Sequence, residues 1–206
     1  MTRRFVLATA NVDKAVELRQ ILTEVLGDVE LLERPDSVPE IEESGVTLEE
    51  NARLKAVALV TATGMAAIAD DTGLEVSALG GAPGVFAARY AGKGATYWDN
   101  VKKLIAELEG VNPPDRGARF RTVAVACFPD GSAISASGAV EGQIATEPRG
   151  DGGFGYDPVF VPDGSGGLTF AEMRPSDKHA ISHRGRAFRA LAAALSSGGT
   201  QLADMA

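Results

Sequence analysis

Short apolar segments that suit buried strands alternate along the chain with segments of helical periodicity. The first strand pattern covers 5–8, and a helical pattern follows over about 12–26, with one face formed by Ala15, Leu18, Leu22 and Val25. Alternation of this kind is typical of α/β proteins, in which helices cover a sheet. A Pro-Asp-Gly turn at 129–131 separates two further strand patterns and predicts a hairpin, so the sheet is expected to be mixed.

The rest of the chain continues this order without a repeat or an obvious linker. Further strands are predicted at 29–32, 66–69, 74–79, 119–128, 133–140 and 159–161, and further helices at about 47–63, 96–109, 169–173 and 183–195. A capping box of Thr47 and Glu50 predicts the start of the helix at 47–63, and Gly64 predicts its end. We therefore predict a single α/β domain over 1–195, with a mixed central sheet flanked by helices. Residues 196–206 are expected to be a flexible C-terminal tail.

Composition and charge exclude several classes of function. The 206 residues are 45% hydrophobic, which is enough for a sizeable core, and no run of about 18 apolar residues suggests a membrane span. The net charge of −8 argues against nucleic-acid binding and means that a phosphate-bearing ligand needs local cations or a metal. The single cysteine excludes an internal disulfide, and together with the lack of a signal-peptide pattern it favours a cytoplasmic protein.

The segment 149–158, Arg-Gly-Asp-Gly-Gly-Phe-Gly-Tyr-Asp-Pro, has four glycines, two aromatic residues and two acids. Glycine permits positive φ and close approach of a ligand, and an aromatic ring in such a loop offers a flat face for stacking. Proline after Asp157 restricts the backbone of this aspartate and so the direction of its carboxylate. The segment predicts a site for a base or a similar flat ligand, although a plain turn between two strands would use the same residues.

A second candidate site lies where the first strand pattern meets the first helix, at 9–14. Asn11 is a good N-cap, and Lys14 then falls in the first helical turn, where the macrodipole disfavours a cation. A lysine is favourable there if an anion binds the same helix end, which predicts a phosphate contact. The alternative is a surface lysine that extends into solvent.

Two adjacent carboxylates, Asp70 and Asp71, follow an apolar strand pattern. Neighbouring strand residues point to opposite faces, so one carboxylate can face a ligand while the other bonds to nearby backbone. Carboxylates at the end of a strand suit Mg²⁺, and Glu43 in an acidic loop is a candidate partner. The alternative is an acidic turn that includes Thr72 and Gly73.

Basic residues cluster near the last helix, where Ser182 is a candidate cap and His183 and Arg184 fall in the first turn. Lys178 lies four residues before Ser182. Cations at this helix end again suggest a ligand with acceptor groups, whereas the alternative is a basic, solvated helix face. A zinc site is disfavoured because the chain has only two histidines and no HExxH motif.

Six motifs that occur in a fixed order along the chain resemble those of a known family. They are T-x-N-x-x-K at 9–14, E-x-G and E-N-A-x-x-K-A between 43 and 56, A-D-D-T-G-L-E-V at 69–76, P-G-V-x-x-A-R-Y at 83–90, P-R-G-x-G-G-F-G-Y-D-P-x-F at 148–160, and S-H-R-G at 182–185. Together they resemble the inosine/xanthosine triphosphate pyrophosphatases, from residue 5 to about 195. Thr72 departs slightly from the family pattern, which more often has serine there, but the hydroxyl group is kept.

The resemblance implies an elongated α/β fold with a central cleft, a homodimer, and a cytoplasmic house-cleaning enzyme that needs Mg²⁺. Its substrates would be small molecules, the nucleotides ITP, dITP and XTP, which it would hydrolyse to the monophosphate and pyrophosphate. Asp71 would bind the metal together with Glu43 and would accept a proton from the attacking water. The other residues implied in substrate binding are Thr9, Ala10, Asn11, Val12, Asp13, Lys14, Lys55, Thr72, Phe154, Gly155, Tyr156, Asp157, Lys178, His183 and Arg184.

Within that list, the segment from Thr9 to Lys14 is implied to hold the phosphates, whereas Phe154–Asp157 and the basic cluster form the nucleoside pocket. Asn51 and Lys55, one helical turn apart, are expected to be auxiliary phosphate or metal contacts. Two other functions remain open at this point: a nucleotide sensor without hydrolysis, and a pyrophosphatase for modified pyrimidine nucleotides. The preference among ITP, dITP and XTP and the dimer surface also stay open.

Overall fold

The computed structural model describes residues 3–9, 11–39 and 41–203. The strands are β1 (Arg3–Leu7), β2 (Val29–Leu32), β3 (Ala67–Val76), β4 (Pro83–Gly84), β5 (Gly117–Cys127), β6 (Ala133–Ile144) and β7 (Phe160–Pro162). The helices are α1 (Val12–Leu26), α2 (Leu48–Thr63), α3 (Tyr97–Glu107), α4 (Pro175–Ile181) and α5 (His183–Ala203). Among the described residues, none of the helices has the length and hydrophobicity needed to cross a membrane.

The seven strands form one mixed sheet in the order β2-β1-β3-β5-β6-β7, with β4 paired to β3. Strand β1 is parallel to both β2 and β3, whereas β4 is antiparallel to β3 and β7 is antiparallel to β6. Parallel pairing is possible because α1 and α2 provide the crossover connections that parallel strands require. The predicted α/β fold with a mixed sheet is confirmed.

The chain divides into two compact units. Unit 1 contains the residues up to Asp71, Thr122–Gly138 and the residues from Arg184 onward. Unit 2 contains Thr72–Arg121 and Ala139–His183. Strands β3, β5 and β6 each continue from one unit into the other, so the division does not follow secondary-structure boundaries.

Each unit has its own hydrophobic core. In unit 1 one face of α1, with Leu18, Ile21 and Leu22, packs with residues of β1 and α5 such as Phe5 and Phe188. Full burial of each such side chain contributes about 1.5–3 kcal/mol. Val25, expected on the same face as Leu18 and Leu22, is instead exposed, because in the last turn of α1 it is Leu26 that packs against this core.

The core of unit 2 is built around three phenylalanine rings. Phe120 on β5 lies with its ring centroid 4.6 Å from that of Phe160 and 6.4 Å from that of Phe170. Leu104 on α3 and Val159 pack into the same cluster. Aromatic pairs at these distances add about 0.5–1.5 kcal/mol to the contribution of their buried area.

Three capping signals in the sequence are confirmed by hydrogen bonds. Asn11 accepts from the Lys14 amide at the start of α1. At the start of α2, Thr47 and Glu50 form a reciprocal capping box, and Gly64 ends the helix in the left-handed region at φ 66°.

Strand β3 differs from its prediction. Two strands at 66–69 and 74–79 were expected, with Asp70 and Asp71 at the end of the first, but one continuous strand runs through Ala67–Val76. Charged residues are tolerated inside this buried strand because cationic side chains contact both carboxylates. The alternative of an acidic turn at this point is wrong. Residues Ser77–Leu79 form a short 3₁₀ turn rather than strand.

The helices of the C-terminal region also differ from those predicted from the sequence. Helix α4, with Pro175 at its first position, has no counterpart in the prediction because seven residues are too few for a clear hydrophobic period. Helix α5 was expected to end near residue 195, but it continues to Ala203. In its later turns the hydroxyl groups of Ser196 and Ser197 donate to the carbonyls of Ala192 and Ala193, so these serines are compatible with the helix.

Candidate functional site

The turn between β1 and α1 in unit 1 is ordered by its own side chains. The Asn11 amide donates to Thr9 Oγ1 at 3.1 Å, and Asn11 Oδ1 accepts from the Lys14 amide at 3.0 Å. Val12 and Asp13 lie exposed in the first helical turn, and Ala10 lies outside the described residues. This arrangement directs the side chain of Lys14 from the positive end of the helix toward β3.

In this structure Lys14 forms an ion pair with the Asp70 carboxylate. Lys14 Nζ lies 3.0 Å from Asp70 Oδ2 and 3.5 Å from the Asp70 carbonyl oxygen. Burial lowers the pKa of Lys14 below its ordinary value, and the carboxylate of Asp70 offsets only part of this effect. The cation at the helix start is therefore balanced within the chain, which accounts for a lysine at a position where the macrodipole opposes it.

Arg184 contacts the same carboxylate. Its Nε lies 3.4 Å from Asp70 Oδ2, and its Nη1 forms a short ion pair with Glu17 Oε2. Arg184 and Glu17 are 3% and 4% exposed, so the guanidinium group is buried between α1 and β3 inside unit 1. In this structure Arg184 therefore serves as a charge partner of two carboxylates.

Asp71 has a different set of partners, as expected for neighbouring residues on opposite faces of a strand. Lys55 Nζ lies 3.1 Å from Asp71 Oδ1, and Asn51 Nδ2 donates to Asp71 Oδ2 at 3.2 Å. Lys55 Nζ also lies 2.9 Å from Glu43 Oε1, so one ammonium group contacts both carboxylates. The Asp70 carboxylate forms ion pairs with Lys14 and Arg184.

The two neighbouring aspartates are shifted in opposite directions. Burial would raise the pKa of Asp70, but Lys14 and Arg184 outweigh burial and hold this pKa below its ordinary value. Burial raises the pKa of Asp71, and the nearby carboxylate of Glu43 adds to the rise while Lys55 opposes it. A carboxylate with a raised pKa is the better proton acceptor of such a pair, since it binds a proton more tightly. This difference favours Asp71 over Asp70 as a general base.

The residues around Lys55 also fit a divalent cation. Glu43 and Asp71 already share one positive group, and Mg²⁺ needs only one or two carboxylates when waters and phosphate oxygens complete its shell. Among the residues that the structure describes, no three or more His, Cys, Asp or Glu side chains are grouped to hold a metal ion. The donor set therefore suits a cation that is bound together with a phosphate-bearing ligand, and not one enclosed by protein alone.

The glycine-rich segment lies in unit 2 and has the backbone that its composition predicts. Gly150, Gly153 and Gly155 have φ values of 79°, 70° and 64°, in the region that favours glycine. A Cβ atom on Gly153 would lie 2.0 Å from Asp157 Oδ2, so the loop also needs glycine there for space. A plain turn does not require this close packing of a carboxylate against the backbone.

Asp157 organises the aromatic part of this loop. Its Oδ2 accepts from the Phe154 amide at 2.8 Å and lies 2.8 Å from Lys178 Nζ. Lys178 Nζ is in turn 5.1 Å from the centroid of the Phe154 ring, and the ring of Tyr97 lies 5.8 Å from the Phe154 ring. Phe154 and Asp157, predicted from the glycine-rich segment, and Lys178, predicted from the basic cluster, are therefore in direct contact.

The other predicted residues of unit 2 belong to its core or to β3. The ring of His183 stacks on that of Phe120, with the ring centroids 4.4 Å apart and an interplanar angle of 12°. His183 is buried. Tyr156 is buried and its hydroxyl donates to the Ala87 carbonyl at 2.9 Å. Thr72 is half-buried in β3. His183 and Arg184, although adjacent in sequence, have different partners: an aromatic ring for the first and carboxylates for the second.

Two residues that contact predicted site residues, one in each unit, were missed by the sequence reasoning. Glu17 is a buried carboxylate on α1, and its position three residues after Lys14, on the same helix face, was an available signal. Tyr97 begins α3 and contacts Phe154, but no short-range pattern relates residues so far apart in the chain.

Comparison with known proteins agrees with the motif content. The sequence model of the Ham1 family matches residues 5–194. A dITP/XTP pyrophosphatase of Bacillus licheniformis is 46% identical over 193 residues, covering 94% of this chain and 98% of that protein. One of Methylococcus capsulatus is 47% identical over 197 residues, covering 95% and 97%.

Solved structures of similar chains share the fold. A HAM1 protein from Coxiella burnetii superposes with a TM-score of 0.82 at 42% identity, covering 95% of this chain and 99% of that one. The Ham1 protein of Staphylococcus aureus gives a TM-score of 0.82 at 36% identity, covering 95% and 100%.

Proposed function

The chain belongs to the Ham1 family, and on this premise we propose that it is a Mg²⁺-dependent nucleoside triphosphate pyrophosphatase. It hydrolyses non-canonical purine nucleotides, ITP, dITP and XTP, to the monophosphate and pyrophosphate, and so keeps them out of the nucleotide pool. The similarity to proteins named dITP/XTP pyrophosphatase over more than nine-tenths of the chain supports this substrate class.

The observation that carries the proposal is the charged cluster of unit 1. Two ammonium groups, Lys14 and Lys55, lie beside the carboxylates of Asp70, Asp71 and Glu43. A triphosphate needs cations to offset its charge, and hydrolysis needs a group that takes a proton from water. Such a cluster, close to a helix N-terminus, provides both kinds of group.

Each residue of the cluster has a distinct part in the reaction. Asp71, with its raised pKa, accepts the proton of the water that attacks the bond between nucleotide and pyrophosphate. Lys14 and Lys55 offset the charge that develops on the leaving pyrophosphate. Glu43 and Asp71 would hold Mg²⁺, which when bound polarises phosphate oxygens as a Lewis acid. Asp70, which is ion-paired to Lys14 and Arg184, fixes the direction of Lys14.

Base recognition is assigned to the loop of unit 2. The Phe154 ring offers a stacking surface, Lys178 supplies N–H donors beside it, and His183, whose ring stacks on Phe120 in the same unit, is a further donor. A 6-oxo purine presents acceptors at O6 and N7, whereas adenine presents a donor at position 6, so ATP is expected to be rejected. Arg184, which pairs with Glu17 and Asp70 in unit 1, is a further candidate donor, as the resemblance to the family implies.

The cellular setting is part of the same proposal. We place the enzyme in the cytoplasm as a homodimer, as the resemblance to the pyrophosphatase family implies. The single cysteine, Cys127, is buried, and this is compatible with a reducing compartment.

The test is a product assay with purified protein, ITP and Mg²⁺. We expect pyrophosphate and not orthophosphate as the direct product, and no turnover in EDTA. The ratio of kcat/KM for ITP and ATP should be at least about 100, the discrimination expected when buried donors meet a mismatched group. Orthophosphate as the first product, full activity in EDTA, or equal use of ITP and ATP would contradict the proposal.

A further inference from the structure

Asn51 on α2 bonds both to the Asp71 carboxylate and to the loop that carries Glu43. It is fully buried, at 0% exposure. Its Nδ2 donates to Asp71 Oδ2 at 3.2 Å, and its Oδ1 accepts from the backbone amide of Gly45 at 2.8 Å. Gly45 lies two residues after Glu43, so one side chain contacts Asp71 and the loop that carries Glu43.

These two hydrogen bonds require an amide side chain in one orientation. Gly45 N–H needs an acceptor, and the carboxylate of Asp71 needs a donor. In the reversed orientation the Asn51 NH₂ group would face the Gly45 N–H group, and the Asn51 oxygen would face the Asp71 carboxylate. A shorter hydroxyl or an aliphatic side chain would leave at least one of these buried groups without its partner.

The backbone at Gly45 is shaped to this contact. A Cβ atom there would lie 2.7 Å from Asn51 Oδ1 and 2.7 Å from Glu50 Cβ, so a larger residue would push the loop away from α2. Glu50 holds the next part of the loop, because its Oε2 accepts from the amides of Val46 and Thr47 at 2.7 and 3.1 Å. The start of α2 therefore fixes the segment that follows Glu43.

We propose that Asn51 is a positioning residue that holds Asp71 and the Glu43 loop in a common arrangement. Asn51 fixes Asp71 Oδ2 while Lys55 contacts Oδ1, so the carboxylate cannot rotate freely. The earlier expectation of a direct phosphate or metal contact by Asn51 is replaced, since both ends of its buried amide contact protein groups. The inference rests on the proposed function in that Asp71 and Glu43 act on the substrate.

The experiment separates the two hydrogen bonds. Asn51→Asp keeps an acceptor for Gly45 but removes the donor to Asp71 and places a second carboxylate beside it. Gly45→Ala keeps the donor but displaces the loop. Loss of a group that orients a site carboxylate reduces activity by about 10–100-fold, so we expect each variant to lower kcat by at least about 10-fold, with KM changed by less than about 3-fold.

Asn100 provides the matched control. It is also a buried asparagine, at 2% exposure, whose Oδ1 accepts from the Ala91 amide at 2.7 Å and whose Nδ2 donates to the Ala88 carbonyl at 3.1 Å. Asn100→Asp makes the same chemical change at a place with no contact to a site carboxylate. It should lower the midpoint of urea denaturation as Asn51→Asp does, but leave kcat within about 2-fold, because a structural asparagine does not orient the site.

Amide hydrogen exchange gives a readout that does not need turnover. The Gly45 amide should exchange at least about 10-fold faster in Asn51→Ala than in wild type, because its acceptor is removed, and should stay protected in Asn51→Asp. A kcat near wild type in Asn51→Asp, an equal loss in Asn100→Asp, or a protected Gly45 amide in Asn51→Ala would each overturn the proposal. Failure of wild type to release pyrophosphate would instead count against the proposed function, and exchange at Gly45 would still decide whether Asn51 holds the loop.

Discussion

Unit 1 and unit 2 both bury lysine side chains, but they balance the buried charge with different groups. In unit 1, Lys14 and Lys55 lie among carboxylates, and Arg184 joins the same network. In unit 2, Lys178 contacts the carboxylate of Asp157 and also lies 5.1 and 5.8 Å from the ring centroids of Phe154 and Phe170. Aromatic faces attract a cation through their quadrupole and add no negative charge.

The two arrangements suit different kinds of ligand group. A network of ion pairs can exchange a carboxylate for a phosphate oxygen, because the new partner has the same charge and similar geometry. Aromatic rings offer a flat surface to which a base adds without displacing an ion pair. We therefore expect substitutions in unit 1 to affect charge balance and chemistry, and substitutions in unit 2 to affect base affinity.

The largest expected effect is on stability, from Arg184→Ala. Removal of this guanidinium leaves the buried Glu17 without its short ion pair and Asp70 with one cation fewer. Breaking a buried ion pair on one side costs about 3–5 kcal/mol, measured as the free energy of unfolding in urea.

The control for Arg184 is Arg4→Ala, which removes a cation from an exposed ion pair with Glu30 in the same unit. Exposed pairs contribute about 0–1 kcal/mol, so this variant should unfold nearly like wild type. If both variants lose the same small amount of stability, unit 1 does not depend on its buried charge balance, and the contrast between the units fails.

The next effect is on catalysis, from Asp71→Asn. An amide cannot accept the proton of the attacking water, so kcat should fall by at least about 100-fold, while KM changes less because Lys14 remains. Asp70→Asn, in contrast, removes a partner of Lys14 and Arg184 and should mainly lower stability. The two variants are compared by steady-state kinetics with ITP and by urea denaturation. A greater loss of kcat in Asp70→Asn would mean that the two aspartates have exchanged roles.

Local signals in the sequence predicted the parts of unit 1 that depend on short-range bonds. Asn11 and the Thr47–Glu50 capping box are confirmed, because each cap bonds within three residues and needs no tertiary contact. The continuity of β3 through Asp70 and Asp71 was not predictable in this way. It depends on Lys14, Lys55 and Arg184, which come from three other elements of the chain.

In unit 2 the contacts of the aromatic residues were likewise not predictable from local sequence signals. The glycines of 149–158 predicted a loop of positive φ, which is a local property of the backbone. The contact between Phe154 and Tyr97 and the stacking of His183 on Phe120 join residues more than 50 positions apart. Periodicity within an element cannot indicate such pairs, so Tyr97 was missed and His183 was predicted without its neighbours.

A smaller effect is expected on affinity, from Phe154→Ala. Stacking of a base on an aromatic ring contributes about 1–3 kcal/mol, so KM should rise at least about 5-fold for ITP and XTP alike while kcat changes little. Phe86→Ala is the control, since Phe86 is a 55% exposed ring of unit 2 whose face contacts Arg89. An unchanged KM in Phe154→Ala, or an equal rise of KM in Phe86→Ala, would contradict the prediction that the base stacks on Phe154.

The smallest effect separates two glycines of the same loop. Gly153 and Gly155 both have positive φ, 70° and 64°, so alanine at either position has a backbone cost of about 1–2 kcal/mol. Only at Gly153 would the new Cβ meet Asp157 Oδ2, at 2.0 Å, whereas nothing lies within 4 Å at Gly155. Gly153→Ala should therefore displace Asp157 from the Phe154 amide and from Lys178 as well. Because hydrogen bonds to a charged group contribute about 1.5–3 kcal/mol, we expect Gly153→Ala to be less stable than Gly155→Ala by at least about 1 kcal/mol in urea denaturation. Equal losses would show that Asp157 can move without cost, and that aromatic packing alone holds the loop of unit 2.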